Sequence, residues 1–110
     1  MKSLYAQYVK EREGLEMIEN DHGFLTYRLE NDKLFISDIF VTKEKRKSNI
    51  AVEMIEQMYQ HALEMGIKEA YAHADINTLN WEESVRFIEK CGGKPTKLDG
   101  TLLYFKRTIG

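Results

Sequence analysis

Three side chains suited to acid–base chemistry lie in segments whose other residues are mostly apolar. Asp38 interrupts the apolar run 34–41, and His73 and Asp75 alternate with alanines near the end of the run 67–75. Burial raises the pKa of a carboxyl group toward the range in which a general base works, so Asp38 is the first candidate for a base. His73 and Asp75 are candidates for a base or a substrate contact, and a purely structural role is the alternative for both.

A basic loop leads from the segment that contains Asp38 into a segment with helical periodicity. The loop 43–47 has four basic residues, and apolar residues recur at helical spacing from Ile50 onward. The first N–H groups of a helix have no intrahelical partner, and the helix dipole is positive at that end. This arrangement suits a phosphate or another anion, although a solvated basic loop is the alternative.

Four further side chains carry polar or reactive groups, but their positions are typical of packing. Tyr27 and Tyr104 fall on predicted strands, where tyrosine commonly packs against its neighbours. Trp81 falls at the start of a predicted helix, where it could line an acceptor pocket but is more typical of a half-buried core residue. Cys91 has no histidine near it in the sequence, so it is predicted to pack in the core and not to act as a nucleophile.

Three segments have the periodicity and the end signals of helices. The first lies between Ser3, a suitable N-cap, and Gly14, which suits the left-handed position after a helix. The second spans residues 48–65. The third begins at Asn80, which with Glu83 has the spacing of a capping pair. The residues predicted on the apolar face of the first helix are Leu4, Tyr5, Tyr8 and Val9.

The remaining segments have the composition of strands. Three β-rich segments within 15–41 are separated by short turns, which predicts an antiparallel meander. Segment 67–75 follows a helix and is therefore predicted to be parallel to its predecessor, and Asp99-Gly100 predicts the turn of a final hairpin. The predicted fold class is α/β (α+β), a mixed and mostly antiparallel sheet flanked by helices in the order α-β-β-β-α-β-α-β-β. One domain is expected over residues 1–110.

Composition and charge argue against several function classes. Sixteen Lys and Arg against eighteen Asp and Glu give a net charge of −2, which supplies no positive field for nucleic acid. Apolar runs are far shorter than the roughly 20 residues that span a bilayer, and charges occur too early for a signal peptide. The single Cys91 fits a reducing compartment, and the spacing of His and Cys fits no metal site. A cytoplasmic protein without a metal, nucleic-acid or membrane partner is expected.

The segment 46–51, with the sequence RKSNIA, resembles the R/Q-x-x-G-x-G/A pyrophosphate loop of the GNAT acetyltransferase family. The preceding ISDIFV is similar to the fourth strand of that family, and SVRFIEKCGG is similar to its second signature, a helix that ends in Glu-Lys-x-Gly. The order of the predicted elements resembles the family fold from its second helix to its last strand. The opening LYAQYVKEREG resembles compact phage and bacterial members that lack the first strand and helix.

The resemblance implies an N-acetyltransferase that uses acetyl-CoA as cosubstrate and acetylates a primary amine of a protein or small molecule by direct attack. It implies that the backbone of 47–52 holds the CoA pyrophosphate and that the backbone of 39–41 pairs with the pantetheine arm. It also makes Asp38 the general base, and Asn80 a pantetheine contact or, alternatively, only a helix cap. The implied cofactor-binding residues are Ile39, Phe40, Val41, Arg46, Lys47, Ser48, Asn49, Ile50, Ala51, Val52 and Asn80.

Two positions depart from the family pattern. Asn49 stands at the first glycine of the loop, where the tolerance of asparagine for left-handed backbone would let the loop form. Ile88 stands where many members carry a tyrosine that protonates the CoA thiolate. These departures leave open a second hypothesis, a catalytically silent GNAT-fold module that binds another protein. Under either hypothesis, an open sheet edge predicts a homodimer.

Overall fold

Within residues 3–110, which the computed structural model describes, three α-helices and six strands follow one another in the predicted order. The helices are α1 (Leu4–Glu13), α2 (Ile50–Glu64) and α3 (Trp81–Lys90), and a short 3₁₀ turn covers Lys43–Lys45. The strands are β1 (Glu16–Asn20), β2 (Gly23–Glu30), β3 (Lys33–Val41), β4 (Glu69–Asp75), β5 (Lys94–Asp99) and β6 (Leu102–Thr108). None of the described helices combines the length and the apolar content needed to cross a bilayer.

The strands form a single mixed sheet in the order β1-β2-β3-β4-β6-β5. β3 and β4 are parallel, as a connection through α2 requires, and the other neighbouring strands are antiparallel. α2 and α3 pack on one face of the sheet. α1 lies on the other face, where the ring of Tyr5 meets the ring of Phe24 edge-on at 5.8 Å. The predicted fold class is therefore confirmed.

The centre of the core lies between α2 and the first three strands. Leu25, Leu34, Met54, Met58 and Ala62 have no exposed surface. Alternation along β2 and β3 directs one set of side chains toward α2, and the 3.6-residue period of α2 directs its apolar stripe back toward the sheet. The predicted packing role of the α2 methionines is confirmed for these two residues.

α1 begins and ends where the sequence predicts but buries a different face. The hydroxyl of Ser3 accepts a hydrogen bond from the N–H of Ala6 at 3.0 Å, and Gly14 is left-handed with a φ of 70°. Ala6 and Val9 are buried. Since α1 packs mainly on β1 at the edge of the sheet, a narrow stripe is enough to cover the contact. The predicted apolar face is wrong at three positions, because Leu4, Tyr5 and Tyr8 are exposed.

The predicted capping pair of α3 is also wrong. Asn80 occupies the N-cap position, but its side chain makes no capping hydrogen bond, and its backbone is left-handed with a φ of 62°. A side-chain cap requires extended backbone at this position, which a left-handed residue does not have. The N–H of Glu83 instead donates to the backbone oxygen of Asn80 at 3.1 Å.

The final hairpin turns one residue later than Asp99-Gly100. Asp99 is the last residue of β5 and still pairs with β6, so Gly100 and Thr101 are the two turn residues. Gly100 has a φ of 62°, whereas Thr101 does not have a positive φ. A positive φ at the first turn residue alone is the pattern of a type II′ turn, which favours glycine there.

Candidate active site

The parallel strands β3 and β4 diverge and open a wedge in the middle of the sheet. They pair at two positions only, Leu34 with Ala70 and Phe35 with Tyr71, although β3 continues to Val41. Beyond Phe35, the edge of β3 that faces β4 therefore has no strand partner. Apart from the carbonyl oxygen of Val41, which accepts a hydrogen bond from Nε of Arg46, the backbone groups on this edge are available to a ligand that lies in an extended conformation.

A bulge in β3 accompanies this divergence. Ile36 pairs with Tyr27, and Asp38 pairs with the adjacent Thr26, so Ser37 is an extra residue of β3 with no counterpart in β2. A bulge bends the strand that contains it and increases its twist. The bend falls just after the last pair between β3 and β4, where the wedge begins. A bulge of this kind leaves no clear pattern in the sequence, and sequence analysis missed it.

A groove of about 400 Å³ follows the wedge on the face that α2 and α3 cover; we call it the wedge groove. It brings together five of the predicted site residues, namely Asp38, Ile39, Val41, Arg46 and Ala51. These residues come from β3, from the basic loop and from the first turn of α2. The predicted residues that do not line the groove are Phe40, Lys47, Ser48, Asn49, Ile50, Val52 and Asn80.

The backbone of β3 presents alternate residues to the wedge. The N–H of Asp38 donates to the hydroxyl of Thr26, and the N–H of Thr42 donates to the backbone oxygen of His22 in the turn before β2. Both N–H groups therefore point toward β2. Because successive residues of a strand direct their N–H groups to opposite sides, Phe40 also faces β2. Ile39 and Val41 face the wedge, so two of the three predicted backbone contacts lie on the open edge.

The basic loop ends at the start of α2, where the N–H of Ile50 donates to the hydroxyl of Ser48 at 3.4 Å. Asn49 makes no side-chain cap, and its φ of −85° is not left-handed, so the expectation of left-handed backbone there is wrong. The loop reaches α2 through a turn in which the hydroxyl of Ser48 donates to the backbone oxygen of Lys45 at 2.6 Å. The N–H groups of Ala51 and Val52 in the first turn are therefore left for an external acceptor.

Arg46 ties the basic loop to the end of β3. Its Nε donates to the backbone oxygen of Val41 at 3.0 Å, and its guanidinium lies 5.9 Å from the ring centre of Phe40. Among the described residues, no acidic side chain forms an ion pair with this loop. Its positive charge and the positive end of the α2 dipole therefore act together on the same space.

The candidate bases occupy different surroundings. Asp38 is exposed, so the burial expected from its apolar strand does not occur, because it lies at the mouth of the wedge where no element covers it. His73 is also exposed and lines the wedge groove from β4. The carboxylate of Asp75 accepts the N–H of Asn77 at 2.9 Å and closes the turn after β4, which is a structural role.

One wall of the wedge groove is formed by α2, α3 and β6. A cluster of side chains on this wall was not predicted from the sequence. The guanidinium of Arg107 lies 4.7 Å from the ring centre of Tyr59 and donates to the backbone oxygen of Cys91. Burial raises the pKa of the Tyr59 hydroxyl and of the Cys91 thiol, so both groups stay protonated near neutral pH. The sequence does contain a signal for this cluster: Arg107 is a charged residue on the same face of β6 as the buried Phe105.

Tyr27 and Tyr104 do not line the wedge groove, whereas Ile88 does. The hydroxyl of Tyr27 is hydrogen-bonded to Nδ1 of His61 at 2.6 Å, within the core. Tyr104 lies on the opposite face of the sheet. Trp81 is half-buried and does not line the wedge groove.

A second groove of about 320 Å³ lies at the wedge on the opposite face of the sheet; we call it the aromatic groove. Five residues line both grooves, which therefore meet through the gap between β3 and β4. The shared residues are Ile36, Ser37, Tyr71, Ala72 and His73. The remaining residues of the aromatic groove are Leu15, Arg28, Phe35, Leu102 and Tyr104.

The acetyltransferase (GNAT) family model matches residues 6–92 of the sequence, a span that contains the diverging strands, the basic loop and α3. The chain belongs to the GNAT acetyltransferase family. The resemblance carried by the sequence motifs is thus confirmed at the level of the family. No curated protein matches this GNAT chain.

Solved structures share the GNAT fold at low sequence identity. The PaiA N-acetyltransferase of Thermoplasma acidophilum, in complex with coenzyme A, is 16% identical with a TM-score of 0.76 over 91% of this chain. The chain spans 65% of the length of that protein. An aminoglycoside 6′-N-acetyltransferase complexed with coenzyme A is 14% identical with a TM-score of 0.68, over 84% of this chain and 70% of the other. The anti-CRISPR protein AcrVA5 is 21% identical with a TM-score of 0.67, over 82% and 96%.

Proposed function

We propose that this chain is an N-acetyltransferase that transfers the acetyl group of acetyl-CoA directly to a primary amine of a protein or small molecule. The observation that carries the proposal is the wedge, an unpaired edge of β3 that leads to the start of α2, where the N-cap residue Asn49 makes no side-chain hydrogen bond. Membership of the GNAT family supports the class of reaction. The wedge supports it independently, because it offers a place for an extended, anionic cosubstrate.

The residues at the wedge fit acetyl-CoA, which would supply the activated acetyl group and a thiolate leaving group. The backbone of 47–52 would hold the pyrophosphate, with N–H groups from the first turn of α2 and the charge of Arg46 and its neighbours. Ile39 and Val41 would pair with the pantetheine arm as an additional strand would. Asn80 would also contact this arm, since its amide makes no capping bond.

The proposed transfer is a single displacement at the thioester carbonyl carbon. The amine nitrogen attacks that carbon, the C–N bond forms, and the C–S bond breaks. Asp38 accepts the proton of the amine, through a water molecule, because only a neutral amine is nucleophilic. A backbone N–H of β3 that faces the wedge stabilises the negative charge on the carbonyl oxygen. A water molecule returns a proton to the thiolate, because Ile88 has none to donate.

A thermal-shift titration with acetyl-CoA, CoA and ATP tests the proposal. A ligand at 100 times its Kd stabilises a fold by about 2.7 kcal/mol, so we expect both CoA species to raise Tm and ATP to leave it unchanged. Ala51→Glu places a carboxylate in the wedge groove beside the phosphates and should abolish the shift. Gln57→Glu, on an exposed position of α2, adds the same charge away from the groove and should preserve the shift.

The absence of a shift in folded wild-type protein at high ligand concentration would overturn the proposal. That outcome would favour a GNAT-fold module that binds another protein without catalysis. A shift that Ala51→Glu leaves intact would place CoA outside the wedge groove and would overturn the proposed site.

A further inference from the structure

An acceptor would reach the proposed acetyl site through the aromatic groove. This inference rests on the proposed function. If CoA fills the wedge groove from the α2 side, the gap between β3 and β4 remains open from the opposite face. His73 and Ser37 line both grooves at this gap. An amine in the aromatic groove would therefore point through the gap toward the acetyl group. The chemistry of the aromatic groove then selects the acceptor.

The aromatic groove has a positive lining. Within residues 3–110, no Asp or Glu lines it, whereas Arg28 does. Two acidic side chains of the adjacent strands, Glu30 and Glu69, are engaged by neighbours on the sheet. Glu30 lies 2.9 Å from Arg28, and Glu69 accepts the hydroxyl of Tyr71 at 2.5 Å and lies 3.4 Å from Lys106. A polycationic acceptor would find no carboxylate here to neutralise it.

Two cations flank two aromatic rings in one row across four strands. Arg28 pairs with Phe35, Phe35 with Tyr71, and Tyr71 with Lys106. The rings of Phe35 and Tyr71 are stacked at 5.5 Å. Arg28 lies 5.7 Å from the ring centre of Phe35, and Lys33 and Lys106 lie 5.5 Å and 6.0 Å from that of Tyr71. The row forms an apolar wall with an ion pair at each end, Arg28 with Glu30 and Lys106 with Glu69, and with the ammonium of Lys33 beside Tyr71.

A second, shorter row has the same character. His73 pairs with Tyr104 on β6, and Lys97 lies 5.1 Å from the ring centre of Tyr104. The aromatic groove lies between these two rows, with Leu15 and Leu102 contributing further apolar surface. Its walls therefore combine apolar contact for the body of a ligand with cations placed to bind a carboxylate.

We propose that the acceptor is a small amine that carries a carboxylate and an apolar or aromatic side group, as an apolar amino acid does. The apolar group packs against Phe35 and Tyr104, the carboxylate binds Arg28, and the amine faces the gap. Arg28 is the residue that sets this preference, because it lines the aromatic groove and does not line the wedge groove.

The test compares three probes by calorimetric or NMR titration of the full chain, with and without CoA. L-Phenylalanine and 2-phenylethylamine differ only in the carboxylate, and spermidine represents polycationic acceptors. We expect L-phenylalanine to bind at least tenfold more tightly than either of the others. Arg28→Gln should remove this preference. Glu30→Gln releases Arg28 from its ion pair and should maintain or tighten binding, and Arg86→Gln, on the exposed side of α3, should have no effect.

Preference for 2-phenylethylamine or spermidine, or no binding of any probe in the millimolar range, would overturn the proposal. A preference for L-phenylalanine that persists in Arg28→Gln would overturn the role of Arg28. These titrations do not depend on turnover. Binding of L-phenylalanine without a thermal shift by acetyl-CoA would therefore overturn the proposed acetyl transfer while supporting the anionic ligand class.

Discussion

The two halves of the sheet that meet at the wedge are packed very differently. The half that contains β1, β2, β3 and α2 holds side chains with no exposed surface, among them Leu25 and Met58. In the half that contains β4, β6 and β5, α3 has no buried residue and every residue of β5 is exposed. The first half holds most of the core cluster and contains the basic loop and β3. The second half forms a wall of both grooves, and its elements make fewer contacts with one another than those of the first half do.

This difference indicates how the molecule divides stability and binding. Apolar burial is the main source of folding free energy, and here it is concentrated in the first half. The proposed base, Asp38, and the proposed CoA contacts other than Asn80 belong to that half too. The second half contributes His73, Tyr104 and Arg107 to the grooves. Three measurements test this division between stability and binding, and they are given in order of decreasing expected effect.

The largest effect is expected on catalysis, at the two candidate bases on opposite sides of the wedge. Asp38→Asn keeps the shape of the side chain and removes the base, so kcat should fall by about 10²-fold or more. His73→Asn, on the second half, should lower kcat by less than about tenfold. The measurement is the rate of thiol release from acetyl-CoA in the presence of an accepted amine.

Unchanged thermal shifts with acetyl-CoA serve as the control for both variants, because neither side chain is proposed to hold the cosubstrate. If His73→Asn reduces kcat more than Asp38→Asn does, the base lies on β4, and the assignment of catalysis to the first half is wrong.

The next effect is on stability. Leu25→Ala removes a fully buried side chain and should lower the free energy of unfolding by about 3 kcal/mol. Leu98→Ala makes the same chemical change on β5, where the side chain is 58% exposed, and should cost less than about 0.5 kcal/mol. Urea unfolding measures both. Similar losses for the two variants would contradict the division.

The smallest effect is a pH dependence within the first half. Burial, with a contribution from the charge of Glu16, raises the pKa of Tyr27 to about 12. In the unfolded chain the hydroxyl ionises near pH 10. The stabilisation linked to the neutral hydroxyl is therefore fully present below pH 10 and is lost between about pH 10 and 12.

Tyr27→Phe tests this linkage. The variant loses the hydrogen bond to His61 and should be less stable than the wild type at neutral pH by about 1 kcal/mol. Over the range from pH 10 to 12 the wild type should lose about 2 kcal/mol that the variant does not lose. Urea unfolding at several pH values measures the difference. Parallel losses in the two proteins would mean that the hydroxyl of Tyr27 is not protected by burial.

The elements of the candidate site were predictable because local patterns encode them. Ser3 and Gly14 fix the ends of α1 through capping and left-handed backbone, and the apolar period of α2 places the basic loop at a helix start. The motif RKSNIA pointed to the loop and to Ala51, which lines the wedge groove. Asp38 lines the wedge groove but was wrongly expected to be buried.

The missed features depend on contacts between distant segments. The extra residue at Ser37 is defined only by the register of β3 against β2. The row from Arg28 to Lys106 exists because four strands align in one register, and its two ends are more than 70 positions apart in the sequence. The face that α1 buries depends on the strand beneath it. No local period encodes any of these relations.

By itself, the sequence determined the order of the elements, the family and the position of the basic loop, since each follows from short-range periodicity, end signals or a contiguous motif. The tertiary structure decided where β3 and β4 separate, which backbone groups face the gap, and which charges surround the aromatic groove. The physical reason is that strand pairing and side-chain burial are set by partners far away in the sequence, and only the folded chain brings those partners together.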